Sequence, residues 1–124
     1  MRFLLYTILT YRKEYYLPIF EVMIKSMALT CSKDIDICII CNRSYVDDLK
    51  KNIHLNTFNN VYYHIVPEDK DLFHALMRKC DIAYFKHWSD YDKIMFLDCD
   101  IIIQDDLKKL FMKVKARSDK IYAP

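Results

Sequence analysis

The chain has 124 residues, of which 53% are hydrophobic and 29% are charged. This length fits one domain, and the composition is typical of a globular protein rather than a disordered one. Its 19 basic and 17 acidic residues give a net charge of +2, so the overall charge does not favour a nucleic-acid binder. No apolar stretch reaches the roughly 18 residues that a membrane span needs.

The cysteines and the first residues of the chain indicate the cellular compartment. The chain has 5 cysteines, and an odd, scattered set argues against a disulfide scaffold and for a reducing environment. Cys38 and Cys41 have CxxC spacing, but they lie in an apolar run typical of a buried strand, so we interpret them as core residues. The apolar run after Arg2 is too short for a signal peptide and has no cleavage site. We therefore expect a cytoplasmic protein.

The first half of the chain alternates strand and helix patterns. Residues 2–10 predict a buried strand, and helical spacing starts at Leu17, with Pro18 acceptable in a first turn. Residues 35–41 predict a second strand. A short helix follows from Ser44, where an acidic residue three positions later completes a capping-box pattern.

The second half continues the alternation. Residues 61–66 predict a third strand, and the spacing of apolar residues predicts one long helix from about Asp71 to Trp88. Residues 93–97 predict the fourth strand. Apolar positions then recur at helical spacing, which predicts a further helix.

The last helix and the end of the sequence complete the predicted domain. Asp105 or Asp106 is expected to cap the helix, and residues 120–124 look like the start of a fifth strand. We treat residues 1–124 as a single domain that stops soon after that start. The alternation predicts an α/β fold, a mostly parallel sheet with helices on both faces. Ligands bind such sheets beyond the carboxyl ends of the strands, near a switch in strand order.

A pair of carboxylates, Asp98 and Asp100, stands between the apolar runs 94–97 and 101–103. In an extended segment residues two apart project to the same side, so these two side chains are expected to converge while Cys99 points away. Such oxygen ligands suit Mg²⁺ or Mn²⁺, whose further positions are filled by substrate phosphates. The pattern therefore indicates a site for a metal and a diphosphate.

The segment from Tyr91 to Phe111, YDKIMFLDCDIIIQDDLKKLF, resembles the DxD region of GT-A glycosyltransferases, in particular the glycogenin-like enzymes of family 8. That family has a Tyr-Asp-Lys lead-in, an apolar strand, Asp-x-Asp, a short apolar run and an Asp-Leu helix start. The opening of the chain also fits, with a strand, a Thr near its end, a Tyr shortly after, and a helix. The resemblance covers essentially all of the sequence as the nucleotide-binding half of such an enzyme.

This resemblance implies a metal-dependent hexosyltransferase that retains anomeric configuration and uses a nucleotide sugar, UDP-linked, as donor. Mn²⁺ or Mg²⁺ and the donor's diphosphate would be held by Asp98 and Asp100, one of which also touches the ribose. The acceptor, whether sugar, protein or lipid, is left open.

The resemblance also assigns residues that contact the nucleotide. Thr10 and Tyr16 match the positions that contact the base, although Tyr11 and Tyr15 compete for the aromatic role.

A basic residue on the helix before the DxD strand is also expected, and here it is Arg78 or Lys79. A divalent ion and such a cation stabilise the leaving diphosphate. No catalytic nucleophile is assigned.

Parts of the family's pattern are absent from these residues: the later His of the metal site, the loop that closes over the diphosphate, and the acceptor region. The four histidines all precede the acidic pair, so we interpret them as surface or packing residues. We expect these 124 residues alone to bind Mn²⁺ and a UDP-sugar weakly and to transfer sugar poorly.

Two other readings stay open. One is a truncated, non-catalytic nucleotide-binding domain that pairs with another chain, because a parallel sheet that stops after four strands exposes an edge. The other is a haloacid-dehalogenase-type phosphatase, whose D-x-D normally follows the first strand and continues into Thr or Gly. Here the motif follows the fourth strand and continues into isoleucine.

Overall fold

The computed structural model describes residues 1–31 and 33–115, and its strands form one parallel sheet. The strands are β1 (Phe3–Leu9), β2 (Ile35–Cys41), β3 (Val61–Ile65) and β4 (Lys93–Phe96), in the order β3-β2-β1-β4. The α-helices are α1 (Lys13–Thr30), α2 (Arg43–Lys50), α3 (Leu72–Met77) and α4 (Leu107–Lys113). Short 3₁₀ helices cover Leu55–Thr57, Arg78–Tyr84 and Trp88–Asp90. The predicted α/β fold is confirmed.

The strands form where apolar residues dominate the sequence. β1 and β2 lie in the middle of the sheet, and all seven residues of β2 are buried because helices cover both of its faces. Asp36 is the polar exception in β2. It is 4% exposed and accepts hydrogen bonds from the Tyr91 hydroxyl at 2.6 Å and from Asn60 Nδ2 at 3.2 Å.

Two apolar layers sandwich the sheet. On one face α1, α2 and α4 pack against β1 and β2, with a core that includes Phe20, Ile24, Leu49, Leu107 and Phe111. On the other face the cover comes from the 3₁₀ segment and the residues after it, and its core includes Leu4, Ile40, Ile82, Phe85 and Tyr91. The predicted arrangement of helices on both faces is therefore present, with 3₁₀ turns supplying most of the second layer.

The path of the chain creates a switch point. From β1 the chain steps outward to β2 and β3, and then returns to place β4 on the opposite side of β1. The strand order therefore reverses between β1 and β4, which is where ligands bind in sheets of this kind. The carboxyl ends of both strands point to the same edge.

Helix α1 begins at Lys13, four residues before the predicted Leu17. The turn that starts it lies at Arg12, whose φ of 47° is in the left-handed region. Pro18 consequently lies inside the helix. Its missing N–H costs only the one bond to the carbonyl of Glu14, so the helix continues past it.

Helix α2 begins one residue before the predicted Ser44. Its N-cap is Asn42, and Ser44 Oγ donates to Asn42 Oδ1 at 2.5 Å rather than capping the helix. The predicted capping box at Ser44 is therefore wrong. Since Asn is as common at the N-cap as Ser, the sequence allowed a cap at either of two positions that lie two residues apart.

The predicted long helix over 71–88 is wrong. Helix α3 ends at Met77, and a 3₁₀ helix follows. Because a 3₁₀ helix has three residues per turn, Ile82 and Phe85 align and pack on the second face of the sheet. Leu72 and Leu76, expected on a buried side, are each 50% exposed.

The region after β4 agrees better with expectation. Asp106 is the N-cap of α4, where its side chain accepts a hydrogen bond from the N–H of Lys108 at 3.0 Å. The fifth strand expected at residues 120–124 lies outside the described residues. Among the residues that are described, no helix is long and apolar enough to cross a membrane.

Candidate functional site

A cavity of about 330 Å³ lies at the switch point, beyond the carboxyl ends of β1 and β4. Its walls come from four parts of the chain: the end of β1, the start of α1, α3 with the following residues, and the segment after β4. The lining residues are Ile8, Leu9, Thr10, Tyr11, Tyr16, Leu72, Ala75, Leu76, Lys79, Phe96, Asp98, Cys99 and Asp100. Most of the residues expected from the sequence to contact a ligand therefore line this one cavity.

The acidic pair borders this cavity. Asp98 and Asp100 are both exposed and both line it. Within residues 1–31 and 33–115, no hydrogen bond or ion pair joins either carboxylate to another residue. Two adjacent carboxylates without a cationic partner attract a positively charged ligand.

Backbone hydrogen bonds on both sides hold the acidic segment. Before it, the N–H of Leu97 donates to the carbonyl of Tyr6 at 3.0 Å, which continues the pairing of β4 with β1. After it, the N–H of Ile103 donates to Ser26 Oγ on α1 at 2.9 Å. Ile103 is itself 8% exposed and belongs to the core between the sheet and helices α1, α2 and α4. The second apolar run in the sequence thus ties the acidic segment to α1.

Cys99 also lines the cavity, although an extended backbone was expected to turn it away. The difference arises because strand β4 ends at Phe96 and the residues Cys99 and Asp100 form a turn. Burial raises the pKa of the Cys99 thiol to about 11, and the negative charge of Asp100 contributes. The side chain therefore stays a protonated thiol at neutral pH.

Thr10 forms the wall at the end of β1. Its side chain is 1% exposed, and its Oγ1 is buried without a hydrogen-bond partner in the described part of the chain. Its carbonyl accepts from the N–H of Asp69 at 2.9 Å and from Asn42 Nδ2 at 3.5 Å. A buried hydroxyl without a partner costs free energy, so one at the edge of a cavity is a candidate ligand contact.

Two of the three aromatic candidates reach the cavity. Tyr11 and Tyr16 both line it, with ring centroids 6.3 Å apart, and Tyr15 does not. The left-handed backbone at Arg12 directly precedes α1 here, and an arginine adopts it although glycine does so more readily. Burial raises the pKa of the Tyr16 hydroxyl.

Of the two basic candidates, Lys79 lines the cavity and Arg78 does not. The guanidinium of Arg78 lies between two carboxylates: its Nε donates to both oxygens of Asp69 at 3.1 Å, and its Nη1 donates to Asp81 at 3.1 Å. The Nζ of Lys79 lies 5.9 Å from the ring centroid of Phe96 and forms no ion pair within the described part of the chain. Lys79 is therefore the cation available to a ligand.

Sequence reasoning missed several residues of the site. Leu72, Ala75 and Leu76 form an apolar wall of the cavity. The backbone N–H of Asp69 donates a hydrogen bond to the carbonyl of Thr10. The apolar residues were visible in the sequence but were assigned to a buried helix side. Asp69 carries no signal, because it stands among other charged residues in a loop.

The donor chemistry fits a hard divalent cation that is shared with a ligand. No group of three or more His, Cys, Asp or Glu side chains gathered to hold a metal occurs among the described residues. Two carboxylates alone leave most positions of an octahedral ion to water and phosphate oxygens, which is how Mg²⁺ is commonly bound with nucleotides. Asp98 and Asp100 provide such a set.

The two cysteines of the CxxC pair pack in different cores. Cys38 packs in the core of the second face, and Cys41 packs in the core of the first face. Burial raises the pKa of each thiol to about 12. Both cysteines are core residues, as interpreted from the sequence.

Comparisons with known proteins support the fold. No protein-family model matches the chain, and none of the curated proteins matches it. Among solved structures, TarS of S. aureus, a glycosyltransferase, matches with a TM-score of 0.55 and 15% sequence identity. The match covers 90% of this chain and 19% of the TarS chain. At this identity the likeness concerns the fold, which is the GT-A-like α/β arrangement, and this chain spans about a fifth of the length of TarS.

Proposed function

We propose that this chain is the donor-binding part of a glycosyltransferase and that its cavity binds the diphosphate of a nucleotide sugar together with a divalent cation. One observation carries the proposal: two carboxylates and a lysine border a single cavity at the switch point of a parallel sheet. The likeness of the fold to TarS and the resemblance of Tyr91 to Phe111 to the DxD region support it.

The finer assignment rests on the sequence resemblance. We propose UDP as the nucleotide, Mn²⁺ or Mg²⁺ as the cation, and a retaining family 8 type of transfer. Thr10 and the Tyr11–Tyr16 wall would contact the nucleoside, because the orphaned hydroxyl and the two rings are the polar and aromatic groups of that side.

Each group at the site has a distinct part in the proposed chemistry. When bound, the cation supplies Lewis-acid stabilisation of the charge that develops on the leaving diphosphate. Asp98 and Asp100 would hold it, and Lys79 would add a positive charge to the same cavity. The apolar side chains of Leu72 and Leu76 limit the access of water to that wall.

Binding is the first test. Isothermal titration of the purified 124-residue chain with UDP, with and without Mn²⁺, should show binding only when the metal is present. The double variant Asp98→Asn, Asp100→Asn should lose at least tenfold in affinity, because it removes both charged ligands and keeps the shape of the side chains. Thermal unfolding should report the same loss as a smaller ligand-induced rise in melting temperature.

A matched control is available on α2. Asp47 is an exposed carboxylate away from the cavity, so Asp47→Asn removes the same charge without touching the site and should leave UDP affinity unchanged. Equal binding by the double variant and the unsubstituted chain would remove the site assignment.

A second candidate, a non-catalytic nucleotide-binding domain that pairs with another chain, is favoured by one observation. Large apolar side chains are exposed along α3 and the residues after it, at Phe73, Met77, Tyr84 and Trp88. Metal-dependent binding of UDP without hydrolysis or transfer of the sugar from UDP-glucose would favour this candidate over the enzyme.

A further inference from the structure

A partly buried ion pair between Asp69 and Arg78 is linked to two walls of the cavity. Asp69 lies in the loop between β3 and α3, and its side chain is 5% exposed. Arg78 follows α3, and its guanidinium reaches back to Asp69 through Nε and Nη2, each within 3.1 Å of a carboxylate oxygen. A guanidinium that contacts a carboxylate through two nitrogens fixes orientation as well as distance.

Asp69 also reaches the other wall. Its backbone N–H donates to the carbonyl of Thr10 at 2.9 Å. Thr10 directly follows β1 and lines the cavity at the end of that strand. Lys79 follows Arg78 and lines the cavity beside α3. A continuous chain of contacts thus runs from Arg78 through Asp69 to Thr10.

Arg78 also donates to two other acceptors. Its Nη2 donates to the carbonyl of Pro67 at 3.4 Å, and its Nη1 donates to Asp81 at 3.1 Å. Because these contacts occupy its donors, the guanidinium of Arg78 does not line the cavity. The next residue, Lys79, does. The carbonyl of Lys79 accepts from the Tyr6 hydroxyl at 3.0 Å, which fixes its backbone to the sheet.

We propose that Asp69 and Arg78 are positioning residues for the site, which hold the Thr10 wall and the Lys79 wall at the separation that a diphosphate ligand requires. The inference rests on the proposed function for the identity of the ligand. It reassigns Arg78 from direct contact with the ligand to support of the residues that make contact.

Paired variants distinguish support from direct contact. If Arg78 acts through Asp69, Asp69→Asn and Arg78→Gln should each weaken Mn²⁺-dependent UDP binding on the order of tenfold, and the double variant should be no weaker than either single one. If Arg78 instead contacted the phosphates, Asp69→Asn would free it and binding would be kept or improved. That result would overturn the proposal.

Asp81 provides the control. Asp81→Asn removes the other carboxylate partner of Arg78 but leaves the contacts among Arg78, Asp69 and Thr10 in place. We expect UDP affinity to stay within twofold of the unsubstituted chain. The double variant Asp69→Asn, Arg78→Gln leaves no unpaired buried charge and so keeps the comparison meaningful where a single variant unfolds.

A readout without ligand separates this proposal from the proposed function. Amide hydrogen exchange at Asp69, whose N–H is bonded to Thr10, should become at least tenfold faster in Arg78→Gln and stay unchanged in Asp81→Asn. An unchanged exchange rate in Arg78→Gln would overturn the positioning role whether or not UDP binds. A faster rate in a chain that does not bind UDP would support the positioning role and contradict the proposed function.

Discussion

Two buried threonine hydroxyls on or beside β1 show how one residue type can have different roles. Thr7 is 0% exposed and Thr10 is 1% exposed, and within the described residues neither Oγ1 has a hydrogen-bond partner. Thr10 lines the cavity, whereas Thr7 does not. A hydroxyl that is buried without a partner destabilises the fold, and of these two only Thr10 lies where a hydrogen bond from the proposed ligand would offset that cost.

We predict that Thr7→Val raises the free energy of unfolding by about 1 kcal/mol, because valine has nearly the same shape and needs no hydrogen bond. Thr10→Val should stabilise the ligand-free chain similarly but weaken Mn²⁺-dependent UDP binding about fivefold, as expected for one lost hydrogen bond. Urea unfolding and titration calorimetry measure the two quantities. Identical binding by both variants would show that the Thr10 hydroxyl does not contact the nucleotide.

At this scale the sequence predicted the acidic pair because it stands out against the apolar residues on both sides. Asp98 and Asp100 could be identified from neighbouring residues alone. The sequence could not decide between Arg78 and Lys79 as the residue that faces the ligand. That choice depends on Asp69, which lies nine residues before Arg78 and becomes its partner only through the turn before α3. A contact set by tertiary structure leaves no local pattern.

Among the secondary-structure elements, the strands were predicted most accurately and the segment between β3 and β4 least. The β2 prediction, residues 35–41, matches the observed strand Ile35–Cys41, because a continuous apolar run between polar boundaries has few alternatives. The apolar positions in 71–88 recur at intervals of three and four, which favour an α-helix, although the interval of three from Ile82 to Phe85 also fits a 3₁₀ helix. Packing of Ile82 and Phe85 on the sheet decides between them.

Helix α4 depends on its cap, since it has only 7 residues. We predict that Asp106→Ala lowers the free energy of unfolding by about 1 kcal/mol, because the N–H of Lys108 loses its acceptor. Chemical denaturation measures the change, and Asp106→Asn should restore most of it.

Asp105 is the matched control for this prediction. Its carboxylate accepts from the N–H of Asp106 at 2.7 Å and from Lys109 Nζ at 2.8 Å, both on the exposed surface. Asp105→Ala should therefore destabilise the chain less than Asp106→Ala. The reverse order would show that the helix is capped by Asp105, the other residue that the sequence allowed.

For the whole molecule, the segment from α3 to Trp88 exposes several large apolar side chains. Phe73 is 68% exposed and Met77 is 51% exposed, and they lie four residues apart on the same side of α3. Tyr84 and Trp88 follow at 79% and 51% exposure. Apolar exposure of this extent along one segment favours contact with another protein surface.

We predict concentration-dependent association of the purified chain, measured by size-exclusion chromatography with light scattering. The double variant Phe73→Glu, Met77→Glu should reduce it, because a contact through this segment would have to bury two carboxylates. The emission of Trp88, the 1 Trp of the chain, should shift to shorter wavelength on association.

The control places the same charges on α1, where Val22 is 55% exposed and Leu29 is 76% exposed. Val22→Glu, Leu29→Glu should leave the association unchanged. A clean monomer at all concentrations would contradict a role for the α3 segment in pairing.

The register of β1 and β4 has a consequence for how a ligand and the fold depend on each other. Phe3 pairs with Lys93, and the contact beside it joins Arg2 to Asp92 across 90 residues of sequence. Thr10 and the acidic pair are therefore neighbours only in a chain whose first and fourth strands have docked. A ligand that contacts both Thr10 and the acidic pair binds only the chain with the assembled sheet, and no partly folded form. Its binding energy therefore adds to the cooperativity of the entire sheet.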